Sequence, residues 1–200
     1  MSIRKFIVSK LCLRQIETQN KELFLTFDDG PEPGITEFVL NLLDRYDAKA
    51  TFFCCGYNIE KNSELFDMLK VKGHTVASHT MNHLKGETTP LFKYLLDIRN
   101  FRSKYKTNIL RPPYGSLSRI EKLLLPALGY KVVLWSVDST DWFENVAPGD
   151  YDFDQLFSGV KSGDIILFHF CKKHEARTKL ILPEFLDCFS KKGYTFSVIK

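Results

Sequence analysis

The most constraining feature of this chain is the alternation of short apolar runs with segments of helical periodicity. Runs rich in Phe, Val, Ile and Leu predict seven strands, at 23–27, 50–54, 75–78, 108–110, 131–137, 164–170 and 194–199. Apolar side chains at helical spacing predict helices at 35–46, 63–72, 90–103, 118–128, 153–160 and 178–192. Near-continuous apolar strands that alternate with helices indicate a parallel sheet covered by helices.

Length and composition limit the class of protein. With 200 residues, of which 44% are apolar, the chain can bury one core, so we expect a single domain. The expected division is an N-terminal arm or edge strand over residues 1–22 and the folded domain over residues 23–200. The net charge of +4 is spread along the chain without a dense basic block, which argues against a nucleic-acid partner.

The N-terminal segment MSIRKFIVSKLCLRQ alternates basic and apolar residues. Its apolar runs are too short for a signal-peptide core or a membrane span, so the sequence predicts a cytoplasmic protein. Contact of residues 3–13 with an anionic membrane surface is an alternative to the arm or edge strand. The five cysteines form no CxxC pair, which fits a reducing compartment, and the oligomeric state stays open.

Polar side chains stand at or just beyond the C-terminal ends of several predicted strands. They are Asp28, Asp29, His79, Arg111, Asp138, Asp141 and His169. In a β/α barrel these strand ends converge on one face, whereas an open sheet would leave residues on distant strands too far apart to cooperate. Joint action of these residues therefore favours a barrel.

The motif SHTMNH carries two histidines, His79 and His83, at the spacing that puts both on one face of a helical turn. Such a pair could ligate a divalent metal, with a third ligand from a carboxylate on another strand. The alternative is a surface pair. The adjacent Asp28 and Asp29 of TFDDGP are the natural source of that carboxylate.

Two adjacent carboxylates can have different roles in metal-assisted hydrolysis. One ligates the metal, and its neighbour takes a proton from the metal's water, whose pKa a zinc-type ion lowers to ~7. Strand alternation would point the side chains of Asp28 and Asp29 in different directions, and the turn at Gly30-Pro31 would let them diverge further. The alternative is that the pair caps the following helix.

Three further motifs are ambiguous when each is taken alone. RPPYG, at 111–115, could present a backbone N–H to a ligand or be a plain turn. DSTDW, at 138–142, could place carboxylates and an indole in a site or cap a helix. In ILFH, the histidine His169 ends a buried strand and could be structural or catalytic.

Together and in this order, TFDDGP, SHTMNH, RPPYG, DSTDW and ILFH resemble the five motifs of the polysaccharide deacetylase family, the NodB-homology or carbohydrate esterase family 4 domain. The resemblance runs from about Leu23 to the C-terminus. It implies an α/β fold, a deformed (β/α)7 TIM-like barrel. It also implies a metal-dependent hydrolase that removes N-acetyl groups from acetamido sugars of a poly- or oligosaccharide or a glycan precursor.

The resemblance also implies a role for each matching position. Asp28 would be the general base, and Asp29, His79 and His83 would ligate a divalent metal, Zn2+ with Co2+, Ni2+ or Mn2+ as alternatives. His169 would protonate the leaving amine, so base and acid would be separate groups on opposite sides of the scissile bond.

Five supporting positions follow from the same resemblance. Arg111 would hold the base ionised and oriented, and an aspartate of DSTDW would support His169, with Asp141 favoured over Asp138. The Tyr114 backbone N–H would help to polarise the substrate carbonyl. Trp142 and Leu167 would line the slot for the acetyl methyl group.

Two departures from the family pattern stand out. Phe170 and Cys171 follow the motif histidine where the family commonly has aspartate, which changes the surroundings expected for the acid. His74 and His174 match no catalytic position and are expected to be structural or surface residues.

Two other functions remain open at this point. The same fold could remove formyl or another small acyl group, or act as an amidohydrolase on a small substrate that is not a sugar. Alternatively, the chain could be a carbohydrate-binding pseudoenzyme.

Overall fold

A curved parallel sheet forms the centre of the computed structural model, which describes residues 11–143 and 151–200. Its strands are β1 (Glu22–Asp29), β2 (Ala50–Cys54), β3 (Thr75–Ser78), β4 (Ile109–Leu110), β5 (Lys131–Val132), β6 (Val137–Asp138), β7 (Ile165–His169) and β8 (Thr195–Phe196). The strand order is β5-β4-β3-β2-β1-β7-β6, and β8 pairs with β1. All these pairs are parallel, as the apolar runs predict.

The two outer strands of the sheet belong to one short stretch of chain. β5 ends at Val132 and β6 begins at Val137, so the predicted strand 131–137 is divided between opposite ends of the sheet. The five residue steps between them span at most about 18 Å. Seven strands laid flat at ~4.8 Å spacing would separate the outer strands by about 29 Å. The sheet must therefore curl, which agrees with the predicted deformed barrel.

Helices connect the strands and cover the outer face of the sheet. They are α1 (Ile35–Arg45), α2 (Gly56–Lys61), α3 (Ser63–Val71), α4 (Leu91–Tyr105), α5 (Arg119–Ala127), α6 (Phe153–Phe157) and α7 (Glu175–Lys191). Of these helices, α2 was not predicted from the sequence, because six residues are too few to show helical periodicity. Among the described residues, no helix is both long and apolar enough to span a membrane.

The described part of the predicted N-terminal arm lies against the sheet. The Leu13 N–H donates to the carbonyl of Val132 at 2.8 Å, and the Leu134 N–H donates to the carbonyl of Leu13 at 2.7 Å. Gln15 forms an antiparallel bridge with Asp164. Residues 3–10 of the segment for which membrane contact was considered lie outside the described residues.

Alternate side chains of β1 pack into two different apolar clusters, one on each face of the sheet. Leu25 and Phe27 belong to the large core between the sheet and the helices, whereas Phe24 belongs to a smaller apolar cluster with residues of neighbouring strands. Because strand side chains alternate, Thr26 and Asp28 share the inner face with Phe24. The strand thus carries polar groups toward the inside of the curled sheet at its C-terminal end.

Phe27 is the centre of an aromatic stack in the outer core. Its ring centroid lies 5.1 Å from that of Phe52 and 5.7 Å from that of Phe168, and all three side chains are fully buried. Rings on three adjacent strands therefore fix the register that aligns the strand ends.

We predict that Phe27→Ala lowers the free energy of unfolding by about 3–5 kcal/mol, because it removes buried apolar surface and leaves a cavity. Phe92→Ala is the matched control, since Phe92 is 81% exposed and its loss should change stability by no more than about 0.5 kcal/mol. Denaturant unfolding measures both. Equal effects of the two substitutions would contradict this description of the core.

Candidate active site

A cleft of about 700 Å³ opens at the carboxyl ends of the strands. Most of the predicted site residues line it, namely Asp28, Asp29, His79, His83, Tyr114, Trp142, Leu167 and His169. Arg111 and Asp141 are fully buried behind these residues. In the register of β1 and β7, Asp28 lies directly beside His169, so both side chains belong to one end of the sheet. The structure thus brings all ten predicted positions together.

Arg111 and Asp28 form a buried ion pair at the base of the cleft. Arg111 Nη1 donates to Asp28 Oδ1 at 2.8 Å and to Thr26 Oγ1 at 2.7 Å, and Nη2 donates to the Leu134 carbonyl at 3.0 Å. The guanidinium carbon lies 4.1 Å from the Phe53 ring centroid. Burial lowers the pKa of Arg111, and the charge of Asp28 opposes that shift. These contacts hold the Asp28 carboxylate in one orientation.

The two adjacent aspartates converge rather than diverge, and this corrects the expectation from strand alternation. Asp29 has a φ of 83°, a left-handed conformation that ends the regular strand. As a result, Asp28 Oδ2 and Asp29 Oδ1 lie 3.9 and 3.5 Å from the same atom, Nε2 of His79. The Asn58 amide donates to the Asp29 carbonyl at 3.0 Å and supports this backbone. Both carboxylates therefore face one point in the cleft.

The histidine pair is carried by a loop and not by the helical turn that its spacing suggested. Thr80 and His83 both have positive φ, of 66° and 52°, which folds the loop back on itself. The Asp97 carboxylate accepts hydrogen bonds from the backbone N–H of Met81 at 2.7 Å and of Asn82 at 3.3 Å. The loop brings the two imidazole rings to a centroid distance of 5.1 Å.

The donor atoms of Asp29, His79 and His83 lie within 4.8 Å of one another and fit a divalent metal. His83 Nε2 lies 3.0 Å from Asp29 Oδ1. His79 Nδ1 lies 2.9 Å from the Arg111 carbonyl, which can only accept, so Nδ1 carries the proton and Nε2 keeps a free lone pair. A carboxylate and two imidazoles are a donor set suited to Zn2+ and related ions.

Electrostatics at this donor set favour the forms that bind cations. Burial alone would raise the pKa of Asp29, but the hydrogen bond to His83 and the nearby His79 and His169 bring it well below its usual range. Burial lowers the pKa of His79, against the effect of the two aspartates. A carboxylate anion and a neutral imidazole are the ligand forms that a metal requires.

Asp141 holds His169, the residue that lies beside Asp28 in the register of β1 and β7. Asp141 Oδ1 lies 2.7 Å from His169 Nδ1, and Oδ2 accepts from the His169 backbone N–H at 2.7 Å and from Thr178 Oγ1 at 2.8 Å. Burial alone would lower the pKa of His169, but the charge and hydrogen bond of Asp141 raise it to about 9. The imidazole therefore carries a proton at neutral pH.

Asp138 takes a different place from Asp141. Its Oδ1 accepts from the Trp142 indole N–H at 3.0 Å and from the Thr140 backbone N–H at 2.9 Å. Trp142 and Phe143 stand at the rim of the cleft, where each is less than half exposed. Asp138 thus orients the Trp142 side chain at the rim of the cleft, whereas Asp141 contacts the imidazole of His169.

Sequence reasoning missed several groups around the site. Thr26 and Thr178 each bond a buried charged group, but a single threonine carries no distinctive pattern. Of the two expectations for His174, a surface position is wrong, since it is 7% exposed; that it lines the cleft was not predicted. His74 is structural, as expected, because its Nδ1 accepts from the Ala50 N–H at 3.2 Å and its ring packs edge-on to Phe52.

Comparisons with known proteins agree with this geometry. A family model described as polysaccharide deacetylase matches residues 15–133. The peptidoglycan-N-acetylglucosamine deacetylase of Bacillus cereus is 33% identical over 193 residues, which cover 92% of this chain and 89% of that protein.

Two solved structures share the fold. The Bc1960 peptidoglycan N-acetylglucosamine deacetylase superposes with a TM-score of 0.88 at 24% identity, covering 100% of this chain and 95% of that chain. A CE4 family pseudoenzyme from Bacillus anthracis superposes with a TM-score of 0.79 at 20% identity, covering 93% of this chain and 66% of that chain. The deformed-barrel fold predicted from the sequence is confirmed. A pseudoenzyme shares this fold, so activity depends on the side chains in the cleft and not on the fold alone.

The family model covers more than half of the chain, and the Bacillus cereus relative is similar along nearly all of it. The resemblance drawn from the five motifs is therefore confirmed, and the chain belongs to the polysaccharide deacetylase family.

Proposed function

We propose that this protein is a metal-dependent hydrolase that removes N-acetyl groups from acetamido sugars of a glycan. The observation that carries the proposal is the arrangement of three functional groups in one cleft. Asp28 lies between a metal donor set and the protonated His169, and it is held there by Arg111. A base, an acid and a place for a Lewis acid are the groups that amide hydrolysis needs.

The side chains would share the reaction as follows. Asp29, His79 and His83 would hold the divalent cation, which when bound acts as a Lewis acid on the amide oxygen and its attacking water. Asp28 would take a proton from that water. His169, protonated at neutral pH, would give its proton to the leaving amine, because a free amine leaves far more readily than an amide anion.

The remaining residues would position these groups and the substrate. Arg111 would orient Asp28, and Asp141 would keep His169 oriented and protonated. The Tyr114 backbone N–H would support the developing charge on the amide oxygen. Trp142 and Leu167 would pack against the acetyl methyl group, since both line the cleft.

The proposed substrate is an acetylated carbohydrate, with the N-acetylglucosamine units of peptidoglycan as the first to test. The name of the Bacillus cereus relative motivates that choice. Zn2+ is the proposed cation because the donor set is one carboxylate and two imidazoles, with Co2+, Ni2+ and Mn2+ as alternatives. The cytoplasmic location stays a prediction, with membrane-surface contact as an alternative, and no oligomeric state is predicted.

Acetate release from acetylated chito-oligosaccharides and from peptidoglycan tests the proposal. We expect no release from chelator-treated protein and restored release after one Zn2+ per chain is added back. Bound metal without acetate from either substrate would indicate a different acyl group or substrate. Failure to bind any divalent metal would rule out the proposed reaction.

We predict that Asp28→Asn lowers turnover by at least about 10²-fold while metal content stays unchanged, because the base is lost and the ligands remain. The adjacent Asp29→Asn is the matched comparison and should lose metal affinity. Metal analysis and acetate release on both variants measure the difference. Metal loss in Asp28→Asn with retention in Asp29→Asn would reverse the two assignments.

We predict that Asp141→Asn moves the alkaline limb of the pH profile of turnover to lower pH. In the wild type, turnover should fall as pH rises through about 9, where His169 loses its proton. Without the Asp141 charge and hydrogen bond, the pKa of His169 should fall, because burial lowers it and only the charges of Asp29 and Asp28 still raise it. Turnover at neutral pH should then drop by at most about 10²- to 10⁴-fold, the usual contribution of a general acid.

Asp138→Asn is the control for this substitution, because Asp138 bonds Trp142 and not His169. It should move the alkaline limb far less. The two substitutions should also differ in their effect on stability. Because the folded-state pKa of His169 is raised, its protonation stabilises the folded state fully below about pH 6.5, and this stabilisation is lost as pH rises through about 9. Equal shifts in both variants would contradict the assignment of Asp141.

A further inference from the structure

Cys171 lies at the opposite carboxylate oxygen of Asp29 from the histidine pair, and His174 lies close to both residues. The Cys171 thiol donates to Asp29 Oδ2 at 3.6 Å, whereas His79 and His83 face Oδ1. One donor atom each from Asp29, Cys171 and His174 lie within 4.8 Å of one another. Asp29 therefore stands between two donor sets, with one oxygen toward each.

His174 supplies an independent indication of a ligand. It is 7% exposed, and its Nδ1 has no hydrogen-bond partner in the part of the chain that the structure describes. Leaving a buried polar atom unpaired costs about 1–3 kcal/mol. The ring lines the cleft, with its centroid 4.8 Å from that of His169. One nitrogen of this imidazole lies within 4.8 Å of donor atoms of Asp29 and Cys171, so the ring could ligate a cation there.

We propose that Asp29, Cys171 and His174 bind a second divalent cation of the borderline or soft class, such as Zn2+, Co2+ or Cd2+. Thiolate and imidazole ligands suit these ions, whereas Mg2+ and Ca2+ prefer oxygen ligands. Asp29 would contribute to both sites, since its Oδ1 faces the histidine pair and its Oδ2 faces Cys171. Paired cations about 3.5–4 Å apart are a known arrangement in hydrolytic enzymes.

Binding at this second site changes the bonds of Cys171 in a defined way. The hydrogen bond from Sγ to Asp29 breaks and the thiol loses its proton to solvent. The sulfur, Oδ2 and one nitrogen of His174 then each replace a water ligand of the cation. Oδ1 stays free for the first cation. No electron transfer takes place, so the step needs no oxidant or reductant.

The test is a titration of the chelator-stripped protein with Co2+. Equilibrium dialysis counts the bound ions, and the thiolate-to-cobalt charge-transfer absorption reports on the sulfur. We expect two Co2+ per chain and a charge-transfer band. Cys171→Ser should keep one Co2+ and lose the band. Cys188→Ser, at a half-buried cysteine of α7 packed against the outer core, should keep both.

A wild-type titration that ends at one Co2+ per chain, or that gives no charge-transfer band, would overturn this proposal. A band of unchanged intensity in Cys171→Ser, or unchanged affinity of the band-forming ion in His174→Gln, would also overturn it. The ion count and the charge-transfer band of the wild type can overturn the proposal by themselves, so the test does not depend on the folding of any variant. The readout is independent of deacetylation, so failure of the proposed function would appear separately, as absent acetate release.

Discussion

The buried ion pair between Arg111 and Asp28 is the interaction on which the rest of the site depends. Through its side chain, Arg111 bonds Asp28 and Thr26 of β1 and the carbonyl of Leu134 in the link between the outer strands. Through its own carbonyl it accepts the Nδ1 proton of His79 and leaves Nε2 free. One residue therefore orients the proposed base, sets the tautomer of a proposed ligand and ties distant strands together. Removing one partner of such a pair typically costs about 3–5 kcal/mol, because it leaves a buried charge alone.

Backbone strain is concentrated where this ion pair meets the histidine loop. Asp29, Thr80, His83 and Tyr114 all have positive φ although none is glycine. Each such residue costs on the order of 1–3 kcal/mol, so the surrounding fold must hold it in place. The Asp97 carboxylate is one of the groups that do so, because it bonds the backbone of the histidine loop. The strained backbone is what allows both aspartates to face one imidazole.

The sequence predicted which residues meet but not how they meet. Apolar runs and strand-end polarity were enough to place Asp28, His79 and His169 on one face, since parallel strands align their carboxyl ends. The expected divergence of the aspartates was wrong because periodicity assumes regular strand geometry, which the positive φ of Asp29 breaks. The place of His174 in the cleft was missed for a similar reason. It precedes α7 in a turn, where no periodic pattern indicates the direction of a side chain.

The adjacent aspartates are proposed to have separate roles, with Asp29 on the metal and Asp28 beside it. A crystal structure of the Zn2+-loaded protein, with the ion located by its anomalous scattering, would distinguish these roles. We expect Zn2+ at about 2.0–2.2 Å from an Asp29 oxygen and from Nε2 of both His79 and His83. Asp28 should remain on Arg111 and outside the ligand sphere. Direct ligation of that zinc by Asp28, with Asp29 displaced from it, would show that the two roles are reversed.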